Sequence, residues 1–272
     1  MTSEDRKQKF CDFYTTLIAT DGFLLMLKLR ASGSLSRFSL GNIMSLMAQA
    51  EWTKRPIPSL LKTYKGWLKL ERQVQRGEKC WDVLAPNKFT RIDEDTGLAR
   101  SYLSGFHWLK EFDVSQTEGE PLPEEPADLE SEDQLENLLR LQDYAHEQGL
   151  TIIYEDTGAA HGWYSKDKQE ISLKQGLSPD ELFNTLVHEL CHWQGVDYQA
   201  YSRADAECIV EAAASIVCMG VGLTQTAQSA SYVAYWSGQA PEHVLALLDL
   251  AEKQAKTLEV ALGKRLKYKA AA

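Results

Sequence analysis

Apolar residues recur along this chain with two periods, the three-to-four-residue step of a helix and the two-residue step of a strand. Phe10, Phe13, Tyr14, Leu17 and Ile18 keep the first period and predict a helix over residues 5–30. Residues 41–52 predict a second helix, halted before Arg55-Pro56-Ile57-Pro58, and residues 59–70 a third. Trp81 and Val83 alternate with polar neighbours and predict a strand over 79–84 that Pro86 ends. A further strand is expected over 103–112. Beyond a polar stretch, residues 134–147 predict a helix, and the β-branched run at 150–154 a strand. Residues 170–173 predict another strand. Ser178-Pro179-Asp180-Glu181 carries an N-cap serine, a first-turn proline and a glutamate three residues on, so a helix starts there and runs to Gly195. Helices are also expected over 203–219, 228–237 and 241–262.

Composition narrows the classes. With 44% apolar and 25% charged residues over 272 positions, the chain has globular composition and length for one large domain or two. No run approaches the length of a transmembrane helix. The first ten residues lack the apolar core of a secretion signal. Five cysteines without a CxxC pair argue for a reducing cytoplasm rather than a disulfide scaffold.

Charge is unevenly placed. Residues 1–110 carry a net +7 and residues 111–272 a net −17. The acidic excess peaks at 111–136, where eleven Asp/Glu meet no Lys/Arg. The proline-bearing part of that run reads as a solvated linker. The expected organisation is therefore a domain over 1–118, a linker over 119–133 and a domain over 134–272, of the α+β class. The first domain mixes helix and strand. The second is mostly helical with a small sheet.

The helix at 179–194 contains His188-Glu189-Leu190-Cys191-His192, an HExxH. Residues four apart differ by about 40° in direction, so both imidazoles can reach one ion at about 2.0–2.1 Å. Glu189 stands where it can take a proton from a metal-bound water. A surface helix with solvated His and Glu is the plain alternative, but the flanking apolar residues oppose it. The next helix offers the third ligand. Glu207 is expected to bind the metal and Glu211 to orient a histidine, with Asp205 serving the helix N-terminus. Zn2+ is the expected ion, with Mn2+ or another divalent ion as alternatives. His161, His243 and Cys191 are not expected to be ligands. Tyr198 and Tyr201 are candidates for an oxyanion donor.

In the basic half, Lys54, Arg55, Lys62, Lys65, Lys69, Arg72, Arg76 and Lys79 are interleaved with Trp52, Tyr64, Trp67 and Trp81. Cations track phosphates and aromatic faces stack on unpaired bases, so this stretch is expected to bind single-stranded DNA, with Trp67 among the contacts. A solvated helix face over core aromatics fits the same composition.

An ordered set of residues then resembles a family. It comprises Phe38-Ser39-Leu40-Gly41-Asn42 followed by Gln49, then Trp67, Arg72-Gln73-Val74-Gln75-Arg76-Gly77-Glu78-Lys79 and Leu84-Ala85-Pro86. Phe112-Asp113-Val114-Ser115-Gln116-Thr117-Glu118-Gly119 and Leu122-Pro123 complete it. These resemble the N-terminal single-stranded-DNA-binding domain of the ArdC-type antirestriction proteins of plasmids and phages. His161-Gly162-Trp163-Tyr164, the stretch Glu170–Leu173, the HExxH with its flanks, Glu207, Glu211, Tyr232 and Trp236 resemble the zincin-like metallopeptidase domain of that family. Glu71 and Cys80 stand where the family usually has glycine, and the loop from His192 to Glu207 is short. The resemblance implies an antirestriction protein that protects incoming DNA. Its target would be a restriction enzyme or another DNA-bound protein, and no membrane is involved. Two alternatives stay open: a DNA-binding protein with a structural metal, or a protease acting on proteins crosslinked to DNA.

Overall fold

The computed structural model describes residues 11–17, 20, 22–31, 33–92, 99–122, 134–223 and 239–263. Residues 123–133 of the expected linker, the expected helix 228–237, and Tyr232 and Trp236 lie outside them. Contacts divide the chain into two units, one of residues 1–41 with 125–272 and the other of residues 42–124.

The unit formed by 42–124 is built on sheets. α2 (Leu40–Thr53), whose first turn holds the boundary, matches the sequence expectation closely, whereas residues 59–70 do not form one helix. They give β1 (Leu61–Thr63) and a single helical turn, α3 (Tyr64–Leu68), capped by the Thr63 hydroxyl. Pairing to a distant strand overrides helical spacing there: Leu61, Lys62 and Thr63 face Asp113, Phe112 and Glu111 of β4 (Ala99–Asp113). β3 (Trp81–Ile92) also pairs antiparallel with β4. It does not stop at Pro86: Leu84, two residues before, turns its N–H and C=O to Asn42 on the outer edge, so the missing N–H of Pro86 falls on that edge and not in the ladder, and the register shifts only between Pro86 and Lys88. A small second sheet joins β2 (Arg72–Val74) to β5 (Thr117–Gly119). Gly119 sits at φ 133, and a Cβ there would lie 2.4 Å from the Glu71 carbonyl oxygen, so the close crossing of the two strands requires glycine.

Side chains complete the backbone bonding of this unit. Asn42 donates to and accepts from Leu84, at 2.9 and 2.8 Å. Gln49 does the same with Asp82, at 2.9 Å each. These amides stand where a neighbouring strand would pair with the outer edge of β3. The Asp113 carboxylate accepts from the Ser59, Leu60 and Ser115 amides at 2.7, 2.9 and 3.1 Å. Burial alone would raise the pKa of Asp113, but the hydrogen bonds from Ser115, Leu60 and Ser59 outweigh it and hold the group below its ordinary value.

The other unit is mostly helical. Residues 11–17 are helical, and the expected helix 5–30 breaks near Thr20 before resuming as α1 (Gly22–Ala31). The first 41 residues belong with this unit and not with residues 42–118 as expected. Arg30 explains the attachment. Its guanidinium, 1% exposed, meets Glu252 at 2.8 Å and Glu259 at 2.8 Å on α7 (Pro241–Ala261). The two glutamates are seven residues apart, two turns on one helix face. Burial would lower the pKa of Arg30, yet the two carboxylates hold it above its ordinary value.

α4 (Gln134–Glu147) and β6 (Thr151–Glu155) fall where the periodicity placed them. β8 (Glu170–Lys174) is the central strand, parallel to β6 and antiparallel to β7 (Gly162–Ser165). α4 and α5 (Pro179–Trp193) pack against this sheet, and α6 (Arg203–Gly220) packs against α5. Ile171, Leu173, Phe183, Leu186, Leu190, Ile209 and Val210 are fully buried, which puts the core at the HExxH helix. No described helix is long and apolar enough to cross a membrane.

Candidate metal centre

The HExxH helix is fixed at both ends. Ser178 accepts from the Glu181 N–H while the Glu181 carboxylate accepts from the Ser178 N–H at 2.9 Å, and Pro179 follows. At the other end Gly195 adopts φ 103 and turns the chain back, which brings the Val196 carbonyl to His192. Leu186, Val187, Leu190 and Cys191 fill the core side of the helix. Burial pushes the Cys191 thiol up, so it is an inert packing group.

His188 and His192 lie one turn apart with their Nε2 atoms 3.2 Å from each other. The Nδ1 atoms face acceptors. His192 Nδ1 donates to the Val196 carbonyl at 2.6 Å, and His188 Nδ1 stands 3.2 Å from Glu211 Oε1. With Nδ1 of each ring turned to an acceptor, the two Nε2 atoms are the ones left to bind a metal. Glu207 Oε2 lies 3.6 Å from His188 Nε2, and Glu207 Oε1 lies 3.9 Å from His192 Nε2. The donor atoms of His188, His192 and Glu207 all lie within 4.8 Å of one another. Two imidazole nitrogens and a carboxylate converging in this way suit a shared cation. Two nitrogens on one tetrahedral ion at about 2.0–2.1 Å are themselves about 3.3 Å apart, so the spacing fits a zinc-class ion.

α6 supplies the two glutamates. Ser202 caps it by accepting from Asp205 N–H at 3.1 Å. Its other faces, from Ala206 through Cys218, are buried, so Glu207 and Glu211 share the stripe turned toward the histidines. Burial would lower the pKa of His188, but the Glu211 hydrogen bond and the charges of Glu189, Glu211 and Glu207 hold it above its ordinary value.

Glu189 is 8% exposed beside the two histidines. Burial raises its pKa against the charges of His188 and His192 and a hydrogen bond from the Tyr164 backbone N–H, with Glu207 adding to the rise. That N–H on β7 was not legible in the sequence, where His161–Tyr164 carried no strand pattern. Tyr198 donates its hydroxyl to Glu207 Oε1, and its ring lies 5.4 Å from that of His192. Burial and the Glu207 contact push its pKa up to about 12, so it stays a donor at neutral pH. Tyr201 makes its recorded contact through its backbone, to Asp197. His161 bonds through its carbonyl to Lys174, and His243 pairs with Asp205 at 2.8 Å.

The expected DNA contacts divide. Trp67 is fully buried and donates to the Phe112 carbonyl at 2.8 Å, so it is core and presents no face to a base. Trp81 is buried as well. Arg72 donates to Thr117 Oγ1, Thr117 O and Gly119 O at 2.9, 3.1 and 3.3 Å and ties β2 to β5 rather than facing a phosphate. Arg55 donates to the Lys79 carbonyl at 2.7 Å and lies 3.9 Å over the Trp81 ring. Lys54 is ion-paired with Glu51, and Lys62 lies in β1. Lys65, Lys69, Arg76 and Lys79 are exposed.

Fold and site together define a two-unit α+β protein similar to the ArdC type. Residues 25–133 match the N-terminal domain of anti-restriction factor ArdC. Along most of its length the chain has the fold of the antirestriction ArdC protein of plasmid R388. To the metal-free crystal structure of that protein the TM-score is 0.60, at 20% identity, covering 93% of this chain and 97% of that one. To its Mn(II)-bound structure the TM-score is 0.57, also at 20% identity, covering 92% and 96%. No curated protein matches the sequence. The resemblance read from the residues is borne out.

Proposed function

We propose that this chain is an antirestriction protein of a plasmid or phage that binds single-stranded DNA and carries a zinc-dependent peptidase site. The observation that carries the chemistry is the convergence of the two Nε2 atoms with Glu207, each histidine turned by an acceptor on its other nitrogen. His188, His192 and Glu207 would hold the ion, and the Mn(II) bound by the R388 protein supports a divalent one. When bound, such an ion acidifies a coordinated water and polarises a carbonyl. Glu189, buried and with its pKa raised, is basic enough to take that water's proton on its carboxylate and return it to a leaving amine. Glu211 keeps the lone pair of His188 on Nε2. Tyr198 holds a protonated hydroxyl at the rim, placed to donate to an oxyanion. The ArdC match of the N-terminal part supports the antirestriction role, with a restriction enzyme or another DNA-bound protein as target.

The test is protection of incoming DNA in cells carrying Glu189→Gln or His188→Ala, with metal content measured on the purified proteins. Glu189→Gln is expected to keep about one ion per chain and lose about 10² to 10⁴ in peptidase rate. His188→Ala is expected to lose the ion. Loss of protection in both variants supports hydrolysis. Full protection by Glu189→Gln alone would make the metal structural, and the peptidase reading would fail.

A further inference from the structure

Strand β7 lies at an edge of its sheet, and the pairing shows which of its backbone groups are free. Lys174 N–H donates to the His161 carbonyl at 2.8 Å, and the register continues with Gly162 opposite Leu173, Trp163 opposite Ser172 and Tyr164 opposite Ile171. In an antiparallel pair the ladder bonds fall on alternate residues, here His161, Trp163 and Ser165. Gly162 and Tyr164 therefore turn their N–H and C=O groups away from β8. The Tyr164 N–H is the one that meets the buried Glu189 carboxylate. Among the described residues no side chain hydrogen-bonds to that carboxylate.

Gly162 sets how closely β7 approaches α5. It is not a turn glycine, since its φ lies outside the left-handed region. Space requires it instead. A Cβ at 162 would lie 2.8 Å from Thr185 Cγ2 on α5 and 2.6 Å from the Ser172 carbonyl oxygen on β8. Both neighbours are buried, so a side chain there would push the strand outward rather than displace them.

The two contacts of β7 with α5 are in step. Thr185 and Glu189 are one turn apart on a single helix face, about 6 Å along the axis. Gly162 and Tyr164 are two apart on the strand, about 6.8 Å. Strand and helix thus run together for one repeat, with Gly162 on Thr185 and Tyr164 on Glu189. Wedging the first contact opens the second.

We propose that Gly162, seated on Thr185, is a positioning residue: its missing side chain lets β7 close on α5, so that the Tyr164 N–H holds the Glu189 carboxylate in place beside the two histidines. This rests on the proton-transfer role of Glu189 proposed above. Gly162 supplies no group to the reaction and acts through Tyr164.

The experiment reads that bond by nuclear magnetic resonance in the full chain, labelled isotopically at its tyrosine nitrogens. The Tyr164 amide is assigned by its absence from Tyr164→Phe. Glu189→Ala removes the acceptor and is expected to move the resonance upfield and speed its exchange with solvent. Gly162→Ala is expected to do the same while its affinity for Zn2+ stays at the wild-type value. Thr185→Leu crowds the same contact from the helix side and is expected to repeat the effect. It carries the test if circular dichroism shows that Gly162→Ala does not fold. In cells, Gly162→Ala is expected to lose protection of incoming DNA together with Glu189→Gln, because a group displaced by about 1 Å can cost about 10²-fold in rate. If Gly162→Ala leaves the Tyr164 resonance in place, or loses Zn2+ as His188→Ala does, the positioning role is overturned. A resonance that Glu189→Ala does not move overturns it as well. Full protection by Glu189→Gln overturns the peptidase reading and this role with it. Protection lost in Glu189→Gln and kept in Gly162→Ala overturns this role alone.

Discussion

The two units keep their charges in opposite ways. The helical unit buries them. Arg30 lies between two carboxylates, and Glu189, His188 and His192 sit against a core of fully buried aliphatic side chains. The unit of 42–124 carries twelve Lys/Arg and twelve Asp/Glu, among whose described members only Glu111 and Asp113 are buried, and it turns large rings outward. It compensates with side chains that stand in for backbone partners, namely Asn42, Gln49, Asp113, Arg72 and the Trp67 indole. The difference follows from the proposed tasks. Moving a proton calls for groups perturbed by burial. A unit proposed to bind single-stranded DNA leaves charge and apolar area in water, so its scaffold holds together by polar clamps.

The contrast is broken most severely by removing a buried charge. Arg30→Ala leaves Glu252 and Glu259 facing each other inside the helical unit and is expected to destabilise it by about 3–5 kcal/mol. Hydrogen exchange resolved by segment is expected to show the loss in 134–223 and 239–263, with β3 and β4 protected as in wild type. A uniform loss would show that the units do not unfold separately.

Metal is expected to act on the same unit only. Chelation should lower the melting temperature of the helical unit, since ligand binding is folding free energy. Glu207→Ala should weaken the ion more than Glu211→Ala, whose expected cost is about 10- to 100-fold in affinity. Equal affinity of Glu207→Ala and wild type by titration would remove Glu207 from the ligand set.

In the sheet unit, Asp113→Asn is expected to cost about 1.5–3 kcal/mol at pH 7. The sign with pH follows from its depressed pKa. The stabilisation is complete above the unfolded carboxylate pKa of about 3.9 and is lost as pH falls through the lower folded value. Wild type should therefore converge on the variant in acid, and denaturant titrations at pH 7 and pH 3 check this.

The smallest effect concerns Glu71. The residue has φ 57, the left-handed region that disfavours side chains. Glu71→Gly is expected to stabilise the sheet unit by about 0.5–1 kcal/mol. A destabilisation would mean that the side chain contributes more than its backbone strain costs.

This position shows what the sequence carried and what it did not. The glycine usual at Glu71 in the resembling family was visible, but its reason, a left-handed turn before β2, was not. The HExxH helix was legible to within a residue because capping, periodicity and chemistry agree locally. Glu207 and Glu211 were legible from their spacing on an apolar helix. Features that depend on distant partners were not. Arg30 pairs with residues 222 and 229 positions away, so nothing near it revealed that the first helix belongs to the second half of the chain. Trp67 and Trp81 looked like stacking residues because composition does not tell an inward ring from an outward one. That β3 passes Pro86 depends on which side of the strand the partner lies, and no local signal gives that.

The pair of amides on α2 has a consequence for how the hairpin finds its alignment. Asn42 and Gln49 read Leu84 and Asp82, two positions of like orientation on β3. If the strand slid by one residue, its edge N–H and C=O groups would turn inward, and all four bonds would be lost together. The helix thus acts as a ruler laid along the ribbon. It rejects the slipped hairpin and closes the edge to strands from other molecules, leaving the flat face open and the rim sealed.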